Sequence, residues 1–155
     1  MAKRDKWAKG EFTPKNPEKY IGTYPIIYRS SWENVLMQKC DTHPNIQQWA
    51  SESIRIPYFN PFSQKSTIYI PDFLLNYVDR NGNTIVEIIE IKPLKQSIDE
   101  KATSRDSKAA LALNKIKWHA AMAWAKKNGM RFRVMNETDM FTQKPASKPR
   151  KRKIK

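Results

Sequence analysis

Histidine and cysteine are nearly missing from this 155-residue chain, which has only His43, His119 and Cys40. One cysteine excludes an internal disulfide and a multi-cysteine zinc site. Two histidines argue against a histidine-built metal centre. Long apolar runs are absent as well: no stretch approaches the ~18 consecutive apolar residues of a spanning helix. The opening Met1-Ala2-Lys3-Arg4-Asp5-Lys6 leads into no apolar run, so no secretory signal is expected. These absences point to a soluble protein of a reducing compartment. Acidic residues are scarce too, 15 against 29 Lys plus Arg, for a formal charge of +14. A field of that sign concentrates polyanions, of which nucleic acid is the commonest, and no amphipathic membrane anchor accompanies it. A solubility feature, or association with ribosomes or membranes, is the blander reading. With 39% hydrophobic and 28% charged residues, the composition is that of a globular domain.

The charge is unevenly spread. Between Gln143 and Lys155 stand Lys144, Lys148, Arg150, Lys151, Arg152, Lys153 and Lys155, with no acidic and no aromatic residue. Such a segment has too little apolar surface to fold alone and reads as a disordered basic tail, residues 143–155. Residues 1–24 are a milder basic arm, broken by Pro14 and Pro17, with Trp7, Phe12, Tyr20 and Tyr24 interspersed. Those aromatics suggest docking, on the chain's own domain or on a partner. Residues 25–142 are left as one core.

Within the core, Ser30-Ser31 caps a helix through Cys40 that is over by His43-Pro44, with Val35, Leu36 and Cys40 facing inward. Ile46 to Tyr58 is β-type and is expected to end at Pro57. Ser66 to Asp79 reads as one strong strand, Asn81-Gly82 as a turn, and Thr84 to Lys92 as a central return strand stopped by Pro93. A long helix follows from Ser104 to Lys127, ended by Gly129, with Ala109, Leu113, Ile116, Ala120 and Trp124 as its buried stripe. Arg131 to Met135 is a final short strand. The order predicts an α/β protein in which helices pack on a central sheet.

Carboxylates among apolar residues are costly to bury unless they are paired or bind a cation. The central hairpin carries three charged residues in such company: Asp72, Glu90 and Lys92. Glu90 and Lys92 are two apart and share a strand face. A three-residue loop Arg80-Asn81-Gly82 with Gly82 left-handed pairs Asp79 with Asn83, which sets Asp72 opposite Glu90. A two-residue loop would send the two carboxylates to opposite faces. Two close carboxylates suit a hard divalent cation such as Mg²⁺. An adjacent lysine orients water or offsets charge developing on a phosphate. The combination describes metal-assisted phosphodiester hydrolysis, and a simple ion pair at a sheet edge stands against it.

Pro71-Asp72 followed by Glu90-Ile91-Lys92 resembles the signature of the PD-(D/E)xK nucleases. Tyr28-Arg29-Ser30-Ser31-Trp32-Glu33, Trp49 to Tyr58, Tyr69 to Phe73 and Glu90 to Pro93 together resemble the head-completion nucleases of T4-type tailed phages. TnsA-type transposon endonucleases have a similar layout. The resemblance spans roughly Tyr20 to Phe141. It implies a restriction-endonuclease-like core, a central mixed β-sheet flanked by helices, with flexible basic termini.

It also implies roles. Asp72 and Glu90 bind Mg²⁺ (with Mn²⁺ as a substitute) together with the backbone carbonyl of Ile91. Lys92 positions the attacking water, and Glu33 completes the site as a further ligand or water-orienting group. The blander reading of Glu33 is a first-turn residue favoured by the helix dipole. Lys115 and the tail lysines and arginines are the expected phosphate contacts, and His119 has no partner that would make it a base. Glu87, on the other strand face, is expected to pair with a surface lysine. The implied function is endonucleolytic cleavage of double-stranded DNA in phage head completion, in the host cytoplasm or the virion. Portal or neck proteins are the implied partners, and no membrane is involved. A non-catalytic DNA-binding head or neck protein and a transposon-type endonuclease are the rivals.

Overall fold

The computed structural model describes residues 9–93, 104–136 and 139. Among these, eight strands and two α-helices form the elements. The basic run Lys144, Lys148, Arg150, Lys151, Arg152, Lys153 and Lys155 lies outside the described residues.

β1 (Gly10–Phe12) and β2 (Ile26–Tyr28) form an antiparallel ribbon, with a 3₁₀ turn at Pro17–Lys19 between them. The aromatics of this segment dock on the chain itself. Tyr20 and Phe12 meet Trp49 edge-on, with ring centroids 4.7 and 5.8 Å away. Asp41, 2% exposed, accepts from the backbone amides of Lys15 and Asn16 at 2.8 and 2.9 Å. Its charge is thereby satisfied by main chain, which permits the burial.

α1 (Ser31–Thr42) starts where Ser30 accepts the Glu33 amide, and it buries Leu36, Met37, Cys40 and Asp41. Val35 is only half-buried against the same core. The central sheet has the order β3 (Ile46–Ser51), β6 (Phe73–Val78), β7 (Thr84–Ile91) and β8 (Arg131–Met135). The first two pairings are antiparallel and the last is parallel. β7 is therefore central, as its apolar character on both faces requires. Its parallel partner is reached through α2 (Arg105–Lys127), capped by Ser104 and ended by Gly129 at φ +73°.

The sheet separates two cores. Leu36, Met37 and Cys40 of α1 pack with Trp49, Phe73, Leu75, Ile89 and Ile91 on one face. On the other, Ile88 packs with Ala121 and Ala125 of α2, together with Ile56 and Tyr69. This α/β/α arrangement is the expected mixed sheet with helices against it.

Three local expectations differ. The strand expected from Ser66 to Asp79 is two: β5 (Lys65–Tyr69) ends, Ile70-Pro71-Asp72 interrupts, and β6 begins at Phe73. Pro71 is fully buried and has no N–H for a ladder, so the chain changes partners there. Pro57 does not end its strand either, but lies within β4 (Ile56–Asn60), facing Ile68 of β5. β4 pairs on one side only, and an open edge tolerates a missing donor. Finally, the buried stripe of α2 is Leu111, Ala121 and Ala125 rather than the set beginning at Ala109, which is exposed. The helix is turned so that small residues meet the sheet closely, while Trp118, Ala120 and Trp124 pack at the flanks.

Candidate active site

The turn between β6 and β7 decides which side chains meet. The Asp79 amide donates to Asn83 O, the Gly82 amide donates to Asp79 O, and Gly82 has φ +84°. This is the three-residue loop, and it fixes the register Val78↔Thr84 through Phe73↔Ile89. One step further along the same register, Asp72 lies against Glu90. Asp72 Oδ2 accepts the Ile91 amide at 2.8 Å, which anchors the carboxylate to the end of β7.

Glu90 is 6% exposed. Its Oε1 accepts the Tyr69 hydroxyl at 2.8 Å, and its Oε2 lies 3.6 Å from Lys92 Nζ. Burial and then the Glu90 charge push the Asp72 carboxyl well above its usual range, while the Ile91 amide and Lys92 only partly offset this. Burial raises Glu90 as well, against the opposing charges of Lys92 and Lys117 and the Tyr69 hydrogen bond. The hydrogen bonds and lysines around the patch do not fully offset the burial of its two carboxyls. Its donors are all oxygens, the ligand type a hard divalent cation takes.

Glu33 stands in the first turn of α1. Its Oε1 accepts the Arg29 amide at 2.9 Å, one residue before the Ser30 cap, in a relative of the capping box. Burial raises its carboxyl, and the charges of Glu52 and Glu90 add to the rise. Glu33 is therefore both a helix-start residue and part of the electrostatic neighbourhood of Glu90. Among the described residues, no three His, Cys, Asp or Glu side chains converge into a ready-made metal cluster. Asp72 and Glu90 are the two carboxylates that face each other at the end of the hairpin.

Lys115 and His119 lie on exposed turns of α2. The helix lysine whose charge acts on Glu90 is Lys117, with its Nζ 5.6 Å from the centre of the Tyr69 ring. Glu87 departs from expectation: at 5% exposure it is buried, and its Oε1 meets Arg133 at 3.2 Å and the Tyr77 hydroxyl at 3.0 Å. Its partner is an arginine because β8, which sequence order alone does not place, runs beside β7.

Three residues near the site escape a reading of sequence spacing: Tyr69, Arg29 and Glu52. Tyr69 reaches Glu90 because β5 pairs with β4 in a separate ribbon, outside the central sheet, up to the break at Pro71. The buried proline between two β-type runs was the available signal. Arg29 and Glu52 form a two-pronged pair, with Nε to Oε2 at 2.9 Å and Nη2 to Oε1 at 3.1 Å.

A family model described as the N-terminal domain of TnsA-like endonucleases matches residues 43–137, a span that contains Asp72, Glu90 and Lys92. The chain is also 34% identical over 139 residues to the head completion nuclease of Enterobacteria phage T4, covering 83% of this chain and 90% of that protein. With most of its length matched and its α/β sheet presenting the acidic pair beside a lysine, the chain belongs to the TnsA-like endonuclease family of PD-(D/E)xK-type nucleases.

Proposed function

We propose that this protein is a Mg²⁺-dependent DNA endonuclease acting in phage head completion, on packaged or portal-proximal DNA. The observation that carries the chemistry is the pair of half-buried Asp72 and buried Glu90, with Lys92 3.6 Å from Glu90. The setting is supported by the relative's name, and a DNA substrate by the +14 charge. The host cytoplasm during infection, and then the head or neck, is the corresponding location.

Asp72 and Glu90 would hold the cation: burial raises both carboxyls, with the Glu90 charge adding to the rise of Asp72, and a bound cation would offset the cost of keeping them ionised there. The Ile91 carbonyl is a third donor. On a strand, the N–H and C=O of one residue point to the same side, and the Ile91 N–H already points at Asp72. When bound, Mg²⁺ supplies electrophilic activation of the phosphate and a lower pKa for water. Lys92, charged and partly exposed, orients the attacking water and offsets charge developing on the phosphate oxygens. Glu33, with Oε1 engaged by the Arg29 amide, has Oε2 left to orient that water. Water adds to phosphorus as the bond to the leaving strand oxygen breaks, leaving a phosphate on one end and a hydroxyl on the other.

The test is incubation of purified protein with linear, circular and branched DNA, with and without Mg²⁺. Cleavage that needs the metal and disappears in Lys92→Ala supports the reading. If the wild-type protein cuts nothing under Mg²⁺ or Mn²⁺, the acidic pair is structural and the protein is a DNA-binding head component.

A further inference from the structure

Arg29 and Glu52 form an ion pair beside the acidic patch whose geometry is hard to explain by stability. The side chains are 54% and 36% exposed, and exposed pairs of this kind contribute little to folding. Yet Glu52 adopts φ +49°, the left-handed region that a residue with a Cβ avoids. Its amide is tied to the Asp72 carbonyl at 2.9 Å, so this turn is continuous with the main chain of the site. On the other side, the Arg29 amide is tied to Glu33 at 2.9 Å. Arg29 thus stands between Glu33 and Glu52, with Asp72 in electrostatic reach.

A guanidinium fork fits a carboxylate and a phosphate in the same way, with two parallel hydrogen bonds. An arginine held in fork geometry at the open side of a phosphodiesterase site is therefore already shaped for a phosphate. We propose that Arg29 binds a backbone phosphate of the DNA strand at the cleavage site, and that Glu52 occupies its fork in the free protein. DNA displaces the Glu52 carboxylate, so Glu52 opposes binding and sets a threshold against weakly held DNA. This rests on the nuclease reading, and it assigns a phosphate-binding residue and a competing carboxylate that the acidic pair and Lys92 do not provide.

The two partners consequently act with opposite sign. A structural pair would lose function from either side, whereas a competitor and a receptor would not. The experiment measures the affinity of full-length protein for a short DNA duplex without divalent metal, and single-turnover cleavage with Mg²⁺, for Arg29→Ala, Arg29→Lys, Glu52→Gln and the charge control Asp106→Asn. Arg29→Ala is expected to bind about tenfold more weakly, from loss of a charge-assisted fork partly exposed to water. Its salt slope should flatten by about 0.9, one phosphate contact. Arg29→Lys keeps the charge and should recover only part of the affinity, because it lacks the fork. Glu52→Gln should bind more tightly than wild type and more tightly than Asp106→Asn, which makes the same charge change on an exposed turn of α2. All four should melt near the wild-type temperature.

Weaker or unchanged binding in Glu52→Gln, or affinity fully restored by Arg29→Lys, overturns the proposal. If wild type cleaves DNA and these variants bind as it does, only the Arg29 assignment fails. If wild type cleaves nothing while the opposite signs persist, the phosphate site stands and the nuclease reading fails.

Discussion

The Tyr69 hydroxyl donates to Glu90 Oε1 at 2.8 Å, from a strand that does not belong to the sheet carrying Glu90. This bond fixes one oxygen of the carboxylate and leaves Oε2 toward Lys92. Groups that orient a metal-binding carboxylate typically matter about 10–100-fold for affinity or activity. Tyr69→Phe keeps the buried ring and removes only the hydroxyl. We expect a loss in that range when cleavage is titrated with Mg²⁺, with little change in melting temperature. Undiminished Mg²⁺ affinity would show that Tyr69 merely fills space.

Asp72→Asn is the cleaner probe of the acidic pair than Asp72→Ala. Alanine leaves the buried Ile91 amide without its acceptor, which costs about 1–3 kcal/mol of stability. Asparagine keeps an acceptor oxygen there and removes the charge that faces Glu90. Cleavage should vanish in both variants. Thermal melts of the metal-free proteins should rank asparagine above wild type and wild type above alanine, each kcal/mol corresponding to about 2–4 °C.

The same pair makes the metal-free protein less stable as pH rises above the ordinary carboxylate range. Asp72, Glu90 and Glu33 all have carboxyls raised above their ordinary range, chiefly by burial. In the unfolded chain these protons leave near pH ~4. Above that point the folded state binds more protons than the unfolded one, so stability falls as pH rises until the raised folded values are passed. Comparing wild type with Asp72→Asn cancels the contribution of groups remote from the patch and leaves that of Asp72 with the carboxylates it faces, Glu90 and Glu33. The stability advantage of the variant should grow with pH through this window and then level off, and parallel curves would refute it. Mg²⁺ should restore wild-type stability most at the upper end.

Glu87 provides a control within the same strand. It is buried, with Arg133 and the Tyr77 hydroxyl as partners, on the face opposite Glu90. Glu87→Ala leaves the Tyr77 hydroxyl unpartnered, while Arg133, 45% exposed, can rehydrate. A destabilisation of about 1–3 kcal/mol is expected. Cleavage per folded molecule should be unchanged, measured at a temperature where both proteins are folded.

Removing residues 143–155 deletes seven positive charges and no negative one. Lysines and arginines that meet phosphates position DNA without reading its sequence. Affinity should drop alike for unrelated duplexes, and the salt slope should flatten by about 0.9 per lost phosphate contact. An unaltered slope would assign the segment to an acidic protein partner.

Much of this protein is determined by local sequence. The cap at Ser30, the stop at Gly129, the β-rich runs and the Asn81-Gly82 turn depend on neighbours a few residues away, so they are legible without a structure. The meeting of Asp72 and Glu90 is nearly local as well, because one loop length sets the register of the whole hairpin. The rest required tertiary structure. Whether Ser66 to Asp79 is one strand or two depends on competition between β4 and the central sheet for partners, and Pro71 only marks where that choice is made. Tyr69 on Glu90, Arg133 on Glu87 and Glu52 on Arg29 join residues 21, 46 and 23 positions apart. Side-chain pairs at such separations follow from how sheets and ribbons stack, which periodicity along the chain does not encode. The rotation of α2 has the same origin, since its stripe was set by how its small residues pack toward β4 and β8 and not by its own hydrophobic spacing.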